Sequence, residues 1–185
     1  MQGARTEIRI GGTGGQGLIL CAKMLAAALA ADGRRVAQSQ TYEPTSRGGF
    51  CKADLVVSSG EVDFPLATAV DHLVLLDQLA VKPSWPLLKE GALVIADERL
   101  CPKLPPGDDS RHHLPISRTA LELGSERVAN MVALGALVAL SGICARGRIE
   151  EAVRKATPRG FLHLNLDALA AGFSIAAEPI PAAAS

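Results

Sequence analysis

The fold of this chain is decided by the stretch Glu7-Ile-Arg-Ile-Gly-Gly-Thr-Gly-Gly-Gln-Gly17. Its first four residues alternate charged and apolar side chains, which is typical of a β-strand. The glycine-rich part predicts a tight turn, and residues 18–31 are apolar and rich in alanine, which favours a buried helix. Residues 12–17 therefore fit the pattern G-x-G-x-x-G between a strand and a helix, where the pattern has a physical meaning.

A glycine turn in this position can hold a phosphate group. Glycine lets the backbone approach a ligand closely, and the helix that follows offers unbonded N–H groups and a partial positive charge. The same glycines can instead serve close packing of strand and helix, or the seating of a neighbouring subunit. The pattern alone leaves these alternatives open. The candidate site residues of this turn are Gly12, Thr13, Gly14, Gly15, Gln16 and Gly17.

The dinucleotide-binding form of such a turn also needs an acidic residue at the end of the second strand, to hold the ribose hydroxyls. Asp32-Gly33 predicts the end of the helix, and residues 35–41 predict the second strand, which completes a strand–helix–strand unit. That strand ends in Gln38-Ser-Gln-Thr41, and Glu43 follows only in the next loop. NAD is therefore disfavoured as a ligand.

A second loop, Thr41-Tyr-Glu-Pro-Thr-Ser-Arg-Gly-Gly49, follows the second strand. It is predicted at the same rim of the sheet as the glycine turn, where open α/β sheets bind their ligands. Arg47 can present its guanidinium to a phosphate or a carboxylate, or it can simply be solvated. The candidate residues of this loop are Thr41, Tyr42, Arg47, Gly48 and Gly49.

The rest of the chain predicts further strands and then helices. Residues 51–58, 71–77 and 91–97 are predicted strands, with a helix over 81–90 between the last two. Asp77 and Asp97 end their strands, where an aspartate more often caps the next element than binds a metal. From residue 117 onward the pattern is helical. It includes the apolar stretch 126–143, in which Gly135 suggests close packing of another element.

Composition excludes several classes of protein. The 185 residues suffice for one domain, and 19 basic residues balance 19 acidic ones, so the chain lacks the basic excess of a nucleic-acid-binding protein. The N-terminal residues show no secretory signal, and no uninterrupted apolar run reaches the roughly 18 residues of a membrane span. We therefore expect a cytoplasmic protein without membrane or nucleic-acid partners.

The four cysteines are Cys21, Cys51, Cys101 and Cys144. No two of them have the short spacing that binds zinc or an iron–sulfur cluster. No serine–histidine–aspartate, cysteine–histidine or paired-carboxylate arrangement can be assembled from the sequence either. No catalytic residue and no metal ligand is therefore assigned to this chain.

Taken together, the glycine turn and the Tyr42–Gly49 loop resemble the gamma subunit of 2-oxoacid:ferredoxin (acceptor) oxidoreductases. The likeness continues through residues 71–80, 130–135 and 165–166. It implies a role inside a complex with alpha and beta subunits, and in some enzymes a delta subunit, which passes electrons to ferredoxin. Thiamine diphosphate and iron–sulfur clusters are then expected in partner subunits, and coenzyme A at the active site they share.

The resemblance implies that this chain binds no cofactor alone, is inactive alone, and serves assembly and the approach of coenzyme A. The glycine turn and the Arg47 loop then contact coenzyme A, or form the seam with the alpha subunit. The alternatives are a stand-alone nucleotide- or phosphate-binding module and a purely structural subunit. The expected fold is a single Rossmann-like, three-layer α/β domain over residues 1–178. It has a mainly parallel sheet, a helical C-terminal third and a disordered tail at 179–185.

Overall fold

The computed structural model describes residues 5–42, 48–60, 66–106 and 110–177. Six strands form one sheet: β1 (Arg5–Thr13), β2 (Arg35–Tyr42), β3 (Phe50–Ser58), β4 (Val70–Leu75), β5 (Leu88–Asp97) and β6 (Ser110–Leu114). Six α-helices accompany it: α1 (Leu18–Ala31), α2 (Val81–Ser84), α3 (Ile116–Glu122), α4 (Ala129–Ser141), α5 (Arg146–Ala156) and α6 (Leu162–Ala177). The predicted α/β class and the helical C-terminal third are confirmed. The predicted tail at 179–185 and the domain boundary at 178 lie outside the described residues.

The strands lie in the order β2-β3-β1-β4-β5-β6. Strands β1, β4, β5 and β6 pair in parallel, as predicted, but β3 lies between β1 and β2 and is antiparallel to both. The predicted strand–helix–strand unit is therefore not a pair of adjacent strands. Residues 43–49 are too few for a crossover connection, so β3 returns beside β2 as the second arm of a hairpin.

The two faces of the sheet are covered unequally. A large aliphatic core fills the face that packs against α1 and α4, and Ile8, Ile10 and Leu55 are fully buried in it. The opposite face is covered from residue 78 to residue 87 by short helical turns, which bury Leu73, Leu75 and Val94. Aliphatic side chains thus supply the core of this aromatic-poor chain.

The predicted helix over 81–90 is wrong in its second half. Helix α2 ends at Ser84, a 3-10 turn spans Trp85–Leu87, and β5 begins at Leu88. Pro83 and Pro86 lack the N–H donor that a longer helix requires. Leu88 instead pairs with Val70 of β4, so pairing in the sheet decides the conformation of this segment.

Residues 159–177, a 3-10 turn followed by α6, are long and apolar enough to cross a membrane by length and composition alone. Helix α6 packs on α4 in the fold, with Ala168, Leu169 and Gly172 buried at the contact. Helices of folded domains pass the same test, so this property is weak evidence for a membrane span.

Candidate functional site

The two loops singled out in the sequence lie together at one rim of the sheet. The backbone N–H of Gly14 donates a hydrogen bond of 3.2 Å to the carbonyl of Gly49. Because β3 is reversed, its first residues reach the rim where β1 ends. Thr41 and Gly48 are exposed there, and Tyr42 is the last residue of β2. Arg47 lies outside the described residues.

The glycine turn is braced by Gln16. Its Oε1 accepts a 2.8 Å hydrogen bond from the N–H of Thr13, and its Nε2 donates one of 2.9 Å to the carbonyl of Leu76, just after β4. A Cβ on Gly12 would collide with Gln16 Oε1. Gly12 is buried inside the turn beneath the Gln16 amide, so its backbone is not exposed to a ligand.

The last glycine of the turn is held from α4. Gly17 has a left-handed backbone (φ 73°), and its carbonyl accepts a 3.1 Å hydrogen bond from Asn130 Nδ2. A Cβ on Gly17 would collide with the same amide group. The carbonyl of Asn130 in turn accepts a hydrogen bond from the thiol of Cys21, at 3.5 Å. Asn130 thus joins the start of α4 to the start of α1.

Gly14 and Gly15 serve a different purpose from their neighbours. Both are exposed, and a Cβ on either would meet no atom within 4 Å. Helix α1 has no side-chain cap at its N-terminus, and its first turn offers unbonded N–H groups. The middle of the turn is thus open backbone, which fits the approach of an anionic group.

A cleft of about 330 Å³ lies in front of this open backbone. Gly15 and Gln16 line one wall, and Glu126, Arg127 and Ala129 line another. Glu126 is paired with Arg99, whereas Arg127 is exposed and has no ion pair among the described residues. Sequence reasoning missed Arg127, since nothing in the pattern around it marks it as a neighbour of a turn some 110 residues earlier.

Asp77 and Asp97 act as caps. Asp77 accepts a hydrogen bond from the N–H of Leu79. Asp97 is fully buried and accepts hydrogen bonds from the N–H groups of Arg99, Leu100 and Ser117 and from the Ser117 hydroxyl. Across the part of the chain that the structure describes, no three His, Cys, Asp or Glu side chains are grouped as metal ligands would be.

The four cysteines are free and buried. Burial raises the pKa of Cys21 to about 12 and, with the nearby Asp77 and Asp97 carboxylates, that of Cys101 to about 12 as well. Burial and Asp32 raise the pKa of Cys144 to about 11, and burial raises that of Cys51. These side chains are thiols at neutral pH and are therefore poor nucleophiles.

The sequence model of a known family, described as pyruvate ferredoxin/flavodoxin oxidoreductase, matches residues 7–175. The chain belongs to this family. A curated member, the 2-oxoglutarate synthase subunit KorC of Methanocaldococcus jannaschii, is 38% identical over 178 residues, 94% of this chain and 95% of that protein. The ketoisovalerate oxidoreductase subunit VorA of Methanothermobacter thermautotrophicus is 30% identical, and the match covers 94% of this chain but 37% of VorA.

Solved structures of family members share the fold. The gamma subunit of a keto/oxoacid ferredoxin oxidoreductase from Geobacter sulfurreducens is 42% identical, with a TM-score of 0.86, and the match covers 94% of this chain and 97% of that one. The 2-oxoglutarate:ferredoxin oxidoreductase of Magnetococcus marinus was solved with 2-oxoglutarate, coenzyme A and succinyl-CoA bound. It is 28% identical, with a TM-score of 0.83, and the match covers 93% of this chain and 31% of that one.

Proposed function

We propose that this chain is the gamma subunit of a multi-subunit 2-oxoacid:ferredoxin oxidoreductase, which converts a 2-oxoacid oxidatively to its acyl-CoA. The observation that carries the proposal is the near full-length match to separate subunits of such enzymes, 95% of KorC and 97% of the Geobacter gamma subunit. A stand-alone nucleotide-binding module is not favoured, because these relatives are subunits of complexes.

The residues of this chain indicate which subunits of the complex hold its redox cofactors. Its four thiols are free and buried, and the described residues hold no group of three or more metal-ligating side chains. We therefore assign iron–sulfur clusters and thiamine diphosphate, which would supply electron transfer and decarboxylation, to the alpha and beta subunits, and to a delta subunit where the complex has one. Ferredoxin is the proposed electron acceptor. The unpaired thiols are consistent with a cytoplasmic protein.

Coenzyme A is the ligand that we propose for the rim of this chain. The exposed backbone at Gly14 and Gly15, the start of α1 and the unpaired Arg127 offer hydrogen-bond donors to an anion at the cleft. The two carboxylates in the lining are engaged elsewhere, since Asp77 caps the turn that follows it and Glu126 is paired with Arg99. The phosphates of coenzyme A suit these donors, and the Magnetococcus relative was solved with coenzyme A bound. The loop of Gly48 and Gly49 lies beside the same rim, so Arg47 is the further candidate.

The 2-oxoacid that we propose is 2-oxoglutarate. Four KorC subunits of 2-oxoglutarate synthases are 36–40% identical to this chain, whereas the ketoisovalerate subunits are 30% identical. The test is co-expression of the chain with its partner subunits, followed by assay of acyl-CoA formation from 2-oxoglutarate, pyruvate and 2-oxoisovalerate. We expect turnover by the complex, fastest with 2-oxoglutarate, and none by the isolated chain. Turnover of a 2-oxoacid by the isolated chain would overturn the proposal.

The contact with coenzyme A is tested by Arg47→Ala in the complete complex. If Arg47 binds a phosphate, the apparent KM for coenzyme A rises at least about tenfold, since a charge-assisted hydrogen bond contributes roughly 1.5–3 kcal/mol. Arg34→Ala is the matched control, because Arg34 is an exposed arginine at the opposite end of β2. An unchanged KM together with loss of the complex assigns Arg47 to the seam with the alpha subunit instead.

A further inference from the structure

We propose that a second depression on this chain, which we call the docking groove, is the surface on which another subunit of the oxidoreductase binds. It is a groove of about 350 Å³, and its apolar lining includes Leu20, Met131, Phe161 and Leu164. Helix α1, the beginning of α4 and the segment 158–165 form its walls. The proposal rests on the proposed function for the identity of the partner, but not for the location of the surface.

The groove exposes large apolar side chains that the fold of the chain leaves uncovered. Phe161 is 62% exposed and Leu20 is 42% exposed. Five large hydrophobic side chains are exposed among the described residues, and these two lie in one groove. Clustered exposed apolar side chains around an aromatic residue are typical of the centre of a protein–protein interface.

The charge around the groove fits an acidic occupant. Arg127 lines the groove, and no aspartate or glutamate is among the lining residues. Arg159 lies in the chain between the lining residues Pro158 and Phe161, and Glu126, which lies between Ser125 and Arg127, is already paired with Arg99. In residues 110–177, where the description is continuous, both arginines are exposed and neither forms an ion pair. A segment with an apolar anchor flanked by carboxylates therefore complements the apolar lining of the groove and its arginines.

A subunit of the enzyme fits the groove better than a second copy of this chain does. A symmetric dimer through the groove would bring the same two arginines of both copies together, and like charges at an interface oppose association. In addition, this chain matches only 37% of VorA and 31% of the Magnetococcus chain. In those proteins the matching domain is part of a longer chain, so a peptide bond holds it to the rest of the enzyme. A separate subunit has no such bond and needs a surface that binds the rest of the enzyme.

The docking groove shares a wall with the cleft at the glycine turn. Arg127 lines both, and Asn130, which lines the groove, holds the carbonyl of Gly17. A partner seated in the groove therefore packs against the residues that fix the start of α1. Docking is then expected to reduce the motion of the glycine turn as well as to bury the groove.

The test compares Leu20→Ser/Phe161→Ser with Leu66→Ser, in tagged chains co-expressed with the other subunits. Leu66 is 47% exposed and lies near the start of β1, where its carbonyl accepts a hydrogen bond from Arg5, so it is matched in exposure but lies outside the groove. We expect the double variant to retain less than a tenth of the wild-type amount of partner subunit, and the control to retain all of it. Arg159→Glu should lower the amount of partner subunit that the tagged chain retains at low salt. Because Arg159 is exposed, the substitution should leave the hydrophobic core of the chain unchanged.

A second measurement does not depend on variants. Hydrogen exchange of the wild-type chain is compared between the isolated state and the complex, and we expect slower exchange in the complex for residues 158–166 and for the first turn of α1. If the double variant assembles as well as the wild type does, the groove is not the docking surface. The same holds if residues 158–166 exchange equally fast in the isolated chain and in the complex. In either case the proposed function stands. If the wild-type chain forms a homodimer and the double variant does not, the occupant of the groove is a second copy of the chain, and the proposal is overturned. Failure of the wild type to assemble overturns the proposed function as well.

Discussion

Gly135 of α4 and Gly172 of α6 lie against each other at the point where the two helices cross. A Cβ on Gly135 would stand 3.1 Å from the Cα of Gly172 and would collide with the carbonyl oxygen of Leu169. A Cβ on Gly172 would collide in the same way with the carbonyl oxygen of Val132. The backbones of the two helices are thus in direct contact, which explains why a glycine is present in the middle of the apolar helix α4.

Replacement of either glycine by alanine should therefore destabilise the fold. We expect Gly172→Ala to lower the free energy of unfolding by about 3 kcal/mol, because the methyl group meets backbone that cannot move aside. Gly147→Ala is the matched control: Gly147 is also helical, in α5, and its Cβ would meet nothing within 4 Å. The control should be neutral or more stable by up to about 1 kcal/mol. Equal effects of the two substitutions in urea unfolding would contradict the close contact.

Gln16→Glu should loosen the glycine turn. The substitution removes the N–H donor that bonds the Leu76 carbonyl and places a carboxylate against that oxygen. We expect faster amide exchange over residues 13–17 and, in the complex, an apparent KM for coenzyme A raised about tenfold, which corresponds to about 1.4 kcal/mol. Gln40→Glu, on the exposed face of the edge strand β2, is the control. Faster amide exchange with an unchanged KM would show that the glycine turn does not contribute to coenzyme A binding.

A buried ion pair joins β1 to β3 on the face opposite the large core. Arg9 Nε and Nη2 donate to Asp54 Oδ1 and Oδ2 at 2.7 and 2.8 Å, and Lys52 Nζ lies 2.8 Å from Oδ2. Nη1 of Arg9 also donates to the carbonyl of Pro83. Arg9 and Asp54 are buried, whereas the side chain of Lys52 is one-fifth exposed.

Removal of one partner should be far more harmful than removal of both. We expect Arg9→Met to lower the free energy of unfolding by about 3–5 kcal/mol, because Asp54 is left buried without its bidentate partner. The double variant Arg9→Met/Asp54→Leu should recover most of this loss, since Lys52 can reach water. A double-mutant cycle in urea measures the coupling, and additive losses would show that the pair contributes nothing as a unit.

His72 should make the stability of the chain depend on pH. Burial lowers the pKa of His72 from its ordinary 6.5, and Lys89 lowers it further, while Asp71 acts in the opposite direction. The unfolded chain therefore binds a proton at this residue at a higher pH than the folded chain does. The free energy of unfolding should fall as the pH decreases through 6.5, until the folded-state pKa is passed. His72→Phe should make the urea midpoint less dependent on pH between 7 and 5, and an unchanged dependence would exclude His72 as its source.

The local part of the fold could be predicted from the sequence. Glu7-Ile-Arg-Ile10 alternates, Gly33 takes the left-handed conformation that ends α1 (φ 78°), and α1 spans the residues predicted for it. Each of these features depends on neighbours within one or two turns of the chain. Propensity and capping therefore suffice to specify them.

The place of β3 could not be predicted in this way. Its residues predict a strand, but whether that strand lies beside β1 or at the edge of the sheet depends on pairing over long distances along the chain. Ile8 pairs with Leu55 in the sheet, and the side chain of Arg9 binds that of Asp54, which lies 45 residues further along the chain. The extended conformation of Leu88 has the same kind of cause, its partner in β4.

In the candidate site, too, the local features could be predicted from the sequence, whereas the contacts between distant segments could not. The glycine turn and the Gly48-Gly49 loop could be predicted, because each is a local signal at the end of a strand. Their direct contact, the brace from Gln16 to Leu76 and the roles of Asn130 and Arg127 depend on packing between distant segments. Asn130 and Arg127 lie at the start of a helix that shows only an apolar pattern.

The hairpin formed by β2 and β3 has a consequence for the exchange of parts between relatives. Thr41 pairs with Lys52 and Tyr42 with Cys51, so both ends of the intervening loop are fixed by the ladder of a single hairpin. An exchange of residues 43–48 between relatives should therefore leave the pairing of β2 with β3 unchanged, and with it the bond from Gly14 to Gly49. The rest of the sheet does not depend on which residues join the two arms of the hairpin.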